Sequence, residues 1–332
     1  MLEKGQVVIV TGGANGIGQA IVLEVIKAGA IPVFIDKDKI AGERLSLLLA
    51  ITSSSFKVDD KNNNFLFIHA DITDPEQCKM SIQLVIKKFG RIDTLINNVG
   101  VNDNVPLIRG ADADSVRHKP PRARDDKNNC KNDKSNVSGD NTNDSTTGRV
   151  EEFVQSLRLN LIPAFSMTYY ALPWLIASTK EDASNVSIVN ILSKVFTTGQ
   201  GGTSGYAASK GGLASLTREW AVDLLPFGIR VNAIVPAEVK TSGYMKWLSS
   251  SSNVSSADAV EERLKKIEEK IPLGRRMTRV EEIAKSVVFL ASSMSSHTTG
   301  QFLYVDGGYT HLDRALAAAN NNDDNNSIKS KL

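Results

Sequence analysis

In the stretch Ser204-Gly-Tyr-Ala-Ala-Ser-Lys-Gly-Gly212 a phenol and an ammonium, Tyr206 and Lys210, stand four residues apart. On a helix, residues i and i+4 share one face. Ala207, Ala208 and Gly211 leave room beside the pair. Two readings fit this spacing. One is a packed pair on a surface helix. The other is an acid–base device, in which the ammonium favours the phenolate and lowers an ionisation that in water lies near pH 10. Spacing alone does not separate the two.

A second cluster concerns phosphate rather than protons. Thr11-Gly-Gly-Ala-Asn-Gly-Ile-Gly18 follows a strand-like run and opens a helical one. Gly12 permits a tight turn, Gly16 lets the backbone approach a pyrophosphate, and Gly18 lets helix and strand pack closely. The helix start then offers free N–H groups and a positive dipole end to phosphate. Asp36 closes Val33-Phe-Ile-Asp36, roughly 20 residues beyond the loop, where an acid binds the adenosine ribose. A carboxylate there repels a 2′-phosphate and favours NAD over NADP. Lys37 and Lys39 blunt that preference, while the loop residue Asn15 is not basic. The competing reading makes Asp36 a helix N-cap.

These residues need elements to hold them. Val7–Thr11, Ile31–Ile35, Phe65–His69, Thr94–Asn97, Val186–Ile191, Arg230–Val235 and Phe302–Val305 read as strands. Amphipathic stretches lie between them: Gly18–Lys27, Glu76–Phe89, Val150–Ala171, Ala207–Leu225 and Val280–Ser292. Alternation of helices with nearly all-apolar strands predicts an α/β fold, a doubly wound parallel sheet of the Rossmann type in a single domain over 1–316. The polar stretch 111–148 carries too few large apolar residues to offset its ordering entropy and is expected to be a disordered insertion. Residues 53–64 and 249–257 and the tail from 317 have a similar composition.

The bulk numbers exclude some classes. The chain has 332 residues, 41% hydrophobic and 23% charged, with a net charge of +2. No basic stripe marks a nucleic-acid binder, and no apolar run has membrane-spanning length. Two cysteines, Cys78 and Cys130, are too few for a disulfide framework and suit a reducing, cytoplasmic setting. The N-terminus runs directly into a strand, so no signal peptide is expected and acceptor sites such as Asn136 and Asn253 go unused. His297 and His311 have no partners at metal-ligand spacing, so no metal is expected.

Together these motifs resemble the short-chain dehydrogenase/reductases. The match rests on Gly12/Gly16/Gly18, Asp71-Ile72 after the third strand and Asn97-Asn-Val-Gly100 after the fourth. Asn160 in a helix, Ser193 after the fifth strand, Tyr206-x-x-x-Lys210 and Pro236 after the sixth complete it. Val99, Leu192 and Ala237 depart from the family's usual Ala, Ser and Gly. The resemblance implies that Tyr206 is the general base and that Lys210 tunes it and holds the nicotinamide ribose. It implies that Ser193 hydrogen-bonds the reacting oxygen and that Asn160 holds a water in the proton relay. It extends the cofactor site to Asn15, Ile17, Asp71, Ile72, Asn98, Val99, Gly100, Val239 and Thr241. A homo-oligomer, tetramer or dimer, is implied too.

The stretches Thr198–Gly205, Pro236–Val239 and Gly100–Asp103 place Gln200, Glu238 and Asn102 around the expected substrate pocket. Such a lining suits a ligand with several hydroxyls, because each needs a partner once buried. With Lys270–Arg276 and Ser296–Leu316, these stretches are most similar to bacterial L-fucose dehydrogenases. That similarity implies oxidation of an aldose C1 hydroxyl to a lactone with NAD, NADP being possible. A 3-oxoacyl-[acyl-carrier-protein] reductase and a non-catalytic NAD-binding redox sensor are the alternatives.

Overall fold

The computed structural model describes residues 2–53, 65–102, 144–250 and 257–312. Seven strands form one parallel sheet: β1 (Val7–Thr11), β2 (Ile31–Asp36), β3 (Leu66–His69), β4 (Thr94–Asn97), β5 (Ser187–Ile191), β6 (Arg230–Pro236) and β7 (Phe302–Val305). The strand order is β3-β2-β1-β4-β5-β6-β7, so the winding reverses between β1 and β4. β1 pairs with β2 through Val7↔Ile31 and with β4 through Val8↔Thr94. Every residue of β1, β4, β5 and β6 is buried. Strands covered on both faces need side chains that are apolar on both faces, which explains their continuous rather than alternating hydrophobicity.

Helices α1 (Gly16–Lys27), α2 (Lys39–Ser53), α3 (Pro75–Phe89), α4 (Asp144–Asn160), α5 (Ile162–Asp182), α6 (Ser204–Leu224), α7 (Ser242–Ser250), α8 (Ala257–Glu268) and α9 (Val280–Ala291) are the described ones. They cover two apolar cores. One face of the sheet holds Ile9, Leu95, Met167, Leu175 and Leu213; the other holds Val8, Ile21, Phe34, Ile96 and Val287. The polar residues of the central strands pair across the sheet. Asn97 Nδ2 donates to Asn190 Oδ1 at 2.9 Å, and Asn190 Nδ2 donates to Thr217 Oγ1 on α6 at 2.9 Å.

Three sequence expectations change. The single helix expected over 150–171 is two helices that break at Leu161, because Pro163 has no N–H to continue the ladder and sits in the first turn of α5 instead. The expected disorder over 111–148 fails for 144–148, where α4 begins; residues 111–143 lie outside the described residues. Helices α2, α7 and α8 were not expected. Of the stretches 53–64 and 249–257, the ends belong to α2, α7 and α8, and 54–64 and 251–256 lie outside the described residues, as does the tail from 317. Among the described residues no helix is long and apolar enough to cross a membrane, and no cluster of His, Cys, Asp and Glu could hold a metal ion.

Candidate active site

All six strands β1–β6 release their next residues into one cleft of about 610 Å³. A cleft at the carboxyl ends of the strands, where the winding reverses, is where this architecture binds its ligand.

The glycine loop forms the first wall. Gly12 and Gly16 take φ of 62° and 56°, the left-handed region that glycine tolerates. A Cβ on Gly18 would lie 2.0 Å from the Gly12 carbonyl oxygen, so helix and loop touch only because it is absent. Asn98 ties this loop to β4: its Nδ2 donates to the Thr11 and Gly12 carbonyls at 3.0 and 3.1 Å. Thr11 Oγ1 in turn accepts from the Asn98 and Val99 N–H groups at 3.0 and 3.3 Å. The Asn98 amide is thereby committed to the backbone. Thr241 stands across from the loop, with its Cγ2 3.4 Å from where a Gly16 Cβ would be. Asn15, Ile17, Val99, Pro236 and Val239 also line the cleft.

Asp36 lies at the end of β2. It accepts from the Ala14 N–H at 3.0 Å and from the Asp38 N–H at 3.0 Å. It does not cap the next helix. Asp38 does, accepting from the Ala41 N–H at 3.0 Å and from Asn15 Nδ2 at 3.3 Å. The bond from Ala41 is the first cause that holds the Asp38 carboxyl below the usual carboxylate range. The N-cap reading of Asp36 is therefore removed, and its carboxylate stays at the cleft wall. After β3, Asp71 Oδ1 accepts from the Thr73 N–H at 3.0 Å. Burial pushes the Asp71 carboxyl up, but its bonds to Thr73 win and leave it below the ordinary value. Ile72 beside it is buried. A glycine cradle followed by an acid at the second strand suits a dinucleotide's pyrophosphate and ribose.

The residues expected to carry the chemistry lie beyond β4 and β5. Tyr206 and Lys210 share one face of α6, with the Lys210 Nζ 5.8 Å from the centre of the Tyr206 ring. Lys210 is fully buried, and its Nζ donates to the Ile191 carbonyl at 2.8 Å. Burial brings its ammonium down to about 8. Gly100 makes this possible, since a Cβ there would lie 2.8 Å from the Nζ. α6 comes close to α4 because Gly205 leaves no Cβ against Ser156, where 2.6 Å would separate them. Asn160, at the end of α4, is buried; its Oδ1 accepts from the Val101 N–H at 2.6 Å and its Nδ2 donates to the Ser156 carbonyl at 3.0 Å. Its side chain thus holds the turn after Gly100. Ser193 lines the cleft and caps the short turn Lys194–Phe196 through the Val195 N–H at 3.5 Å. Ser193, Tyr206 and Lys210 all line the same cleft.

Of the expected substrate residues, Gln200 is exposed at the cleft and donates to Thr203 Oγ1 at 3.3 Å. Asn102 also lines it, and among the described residues its buried Oδ1 has no partner. Glu238 is different. From the sequence, its carboxylate was expected to face substrate hydroxyls. The structure gives it to Lys194, whose Nζ bonds Oε1, and to the Tyr244 hydroxyl, which donates to Oε2 at 2.7 Å. Burial, then the Glu238 charge, hold the Tyr244 phenol above its ordinary value. The Lys194 Nζ also lies 4.0 Å from the centre of the Tyr309 ring. Lys194 and Tyr244 were missed; Lys194 had one available signal, its place directly after Ser193.

Comparison with known proteins places this geometry. Residues 6–118 match the family described as short chain dehydrogenase, and residues 136–310 match the family described as Enoyl-(Acyl carrier protein) reductase. The 3-oxoacyl-[acyl-carrier-protein] reductase of Thermotoga maritima is 30% identical, over 93% of this chain and 99% of its own. The L-fucose dehydrogenase of Bos taurus is 30% identical, over 92% of this chain and 89% of its own. That relative is mammalian, whereas the motifs were matched to bacterial proteins of that name. The crystal structure of Cj0485 dehydrogenase superposes with a TM-score of 0.70 at 34% identity, covering 94% of this chain and 96% of that one.

Proposed function

Since this chain belongs to the short-chain dehydrogenase/reductase family, an NAD(P)-dependent oxidoreductase acting on CH–OH groups, we propose that it oxidises the C1 hydroxyl of an aldose such as L-fucose to the lactone. The observation that carries this reading is the lining of the reacting end. Gln200, Asn102 and the Lys194–Glu238 pair bring donors and acceptors to the cleft beside Ser193 and Tyr206. The Asn102 Oδ1 is buried without a partner among the described residues and Lys194 has N–H donors beyond the one Glu238 takes, which suits a ligand with several hydroxyls better than an acyl chain. The relatives named L-fucose dehydrogenase support the same reading.

In the proposed mechanism Ser193 donates to the reacting oxygen and sets its distance from Tyr206. Tyr206 takes the hydroxyl proton, and the nearby Lys210 ammonium favours the charge this proton transfer needs. A nicotinamide held in the cleft would supply the acceptor for the hydride from the same carbon, which leaves a carbonyl. Lys210 stays fixed on the Ile191 carbonyl throughout. Asn160, through the Val101 N–H, keeps the turn that makes room for Lys210. Asp36, Asn15, Asp71 and Ile72 would bind the adenosine end, with NAD preferred because the Asp36 carboxylate at the cleft wall would repel a 2′-phosphate.

A second reading, a ketoreductase of acyl-carrier-protein substrates, is favoured by the identity to the Thermotoga maritima relative. One experiment separates them: cofactor reduction measured across aldoses, polyols and simple secondary alcohols, beside NADPH oxidation with a 3-oxoacyl thioester. Turnover of an aldose with NAD supports the first reading; thioester reduction alone replaces it with the second.

A further inference from the structure

Lys194 follows Ser193 directly, yet nothing in the mechanism above uses its charge. It is 7% exposed and lines the cleft. Its Nζ bonds Glu238 Oε1, and the Tyr309 ring packs 4.0 Å from it. Glu238, 8% exposed, receives its second bond from the Tyr244 hydroxyl at 2.7 Å. An ammonium has three N–H donors, and the Glu238 bond uses one. Tyr244 and Tyr309 approach the pair from two other segments, so Lys194 is held in one place rather than free to swing. Moving an ion pair from water into a cleft wall is not favourable in itself. Its position beside the reacting serine therefore calls for a role.

We infer that Lys194 is a specificity-determining residue that donates hydrogen bonds to a substrate hydroxyl next to the reacting carbon, with Glu238 as the residue that positions and neutralises it. This rests on the aldose reading and narrows it. The pair carries no net charge, so the site takes neutral polyhydroxylated substrates. A sugar acid would place its carboxylate beside Glu238 and be rejected. Glu238 is thus a positioning residue, and the contact that sequence reasoning assigned to it passes to Lys194.

The test uses two variants of the full chain, Glu238→Gln and the double variant Lys194→Met/Glu238→Gln. Both avoid leaving a lone buried carboxylate. Kinetics are measured with L-fucose, a hexuronic acid and propan-2-ol, with thermal midpoints recorded alongside. For the double variant, KM for L-fucose should rise more than kcat falls. The kcat/KM ratio of L-fucose to propan-2-ol should drop by about 10- to 100-fold, the worth of one charge-assisted hydrogen bond. For Glu238→Gln, the uncompensated Lys194 should raise kcat/KM for the uronic acid relative to L-fucose by about tenfold or more. If wild type oxidises L-fucose but neither ratio moves in either variant, the inference is overturned and the aldose reading stands. If wild type turns over only propan-2-ol, the aldose reading falls and the inference falls with it. Should the double variant fail to fold, the uronic-acid ratio of Glu238→Gln decides alone.

Discussion

The Asp36 carboxylate accepts a hydrogen bond from the Ala14 N–H at 3.0 Å, which fastens the end of β2 to the glycine loop. The residue expected to select the cofactor therefore also shapes the loop that binds it. An alanine at 36 would disturb both functions at once. Asn keeps an acceptor for Ala14 and removes only the charge. Asp36→Asn should narrow the kcat/KM preference for NAD over NADP by about tenfold, mainly by raising NADP turnover, because the repulsion of a 2′-phosphate disappears. Steady-state kinetics with both cofactors check this. A wild-type preference for NADP would contradict the assignment of Asp36.

Tyr206→Phe removes one hydroxyl from the cleft. The kcat should fall by at least about 10²-fold, the usual floor for losing an acid–base group. The Kd for NAD, followed by fluorescence, should stay within a few-fold of wild type. A Phe variant that keeps more than about a hundredth of the rate would remove Tyr206 from the proton transfer.

Lys210 links function to stability through pH. Burial lowers its pKa from 10.5 to about 8. The unfolded chain therefore holds this proton between about pH 8 and 10.5 when the folded one does not. In that window stability rises with pH, and below about 8 the cost of the buried charge is present in full. Lys210→Met removes this dependence along with activity. The difference in unfolding free energy between the Met variant and wild type, without cofactor, should shift toward wild type on going from pH 7 to pH 10. Urea titrations at the two pH values measure it, and a constant difference would mean that the lysine titrates normally.

Two glycines should respond with opposite signs. A Cβ on Gly18 would lie 2.0 Å from the Gly12 oxygen and 2.7 Å from Asn98 Nδ2. Gly18→Ala should cost about 1–3 kcal/mol by overpacking and abolish NAD binding. Gly211, inside α6, has nothing within 4 Å of its would-be Cβ. Gly211→Ala should stabilise by about 0.5–1 kcal/mol with activity retained. Thermal midpoints and NAD titrations distinguish the two outcomes.

The sequence made some of this legible and hid the rest for physical reasons. The central strands announce themselves because parallel strands covered on both faces read as continuous apolar runs, and β1, β4 and β7 fall on their expected residues. The break at Leu161 was missed because the apolar spacing of α4 carries on into α5, although Pro163 marks a new first turn. Helix α8, Ala257–Glu268, is mostly charged and adjoins a serine-rich run, so its composition masked its period. At the site, glycines and the Tyr206–Lys210 pair are local in sequence and could be read. The Lys194–Glu238 bond joins residues 44 positions apart. Only the pairing of β5 with β6 through Ile188↔Val231 and its neighbours brings those loops together, and no spacing rule finds such a pair.

The turn after β7 has a consequence for the order in which the working parts come into being. Asp306 accepts from the Gly308 and Thr310 N–H groups at 2.8 and 2.9 Å, and this turn carries Tyr309 to Lys194. Synthesis runs from the N-terminus, so the dinucleotide cradle of residues 12–100 leaves the ribosome long before Tyr309 does. The segment that closes the wall around Lys194 is the last to arrive. A nascent chain lacking it already contains the glycine loop, Lys194 and Glu238, but not the ring that packs against the Lys194 ammonium.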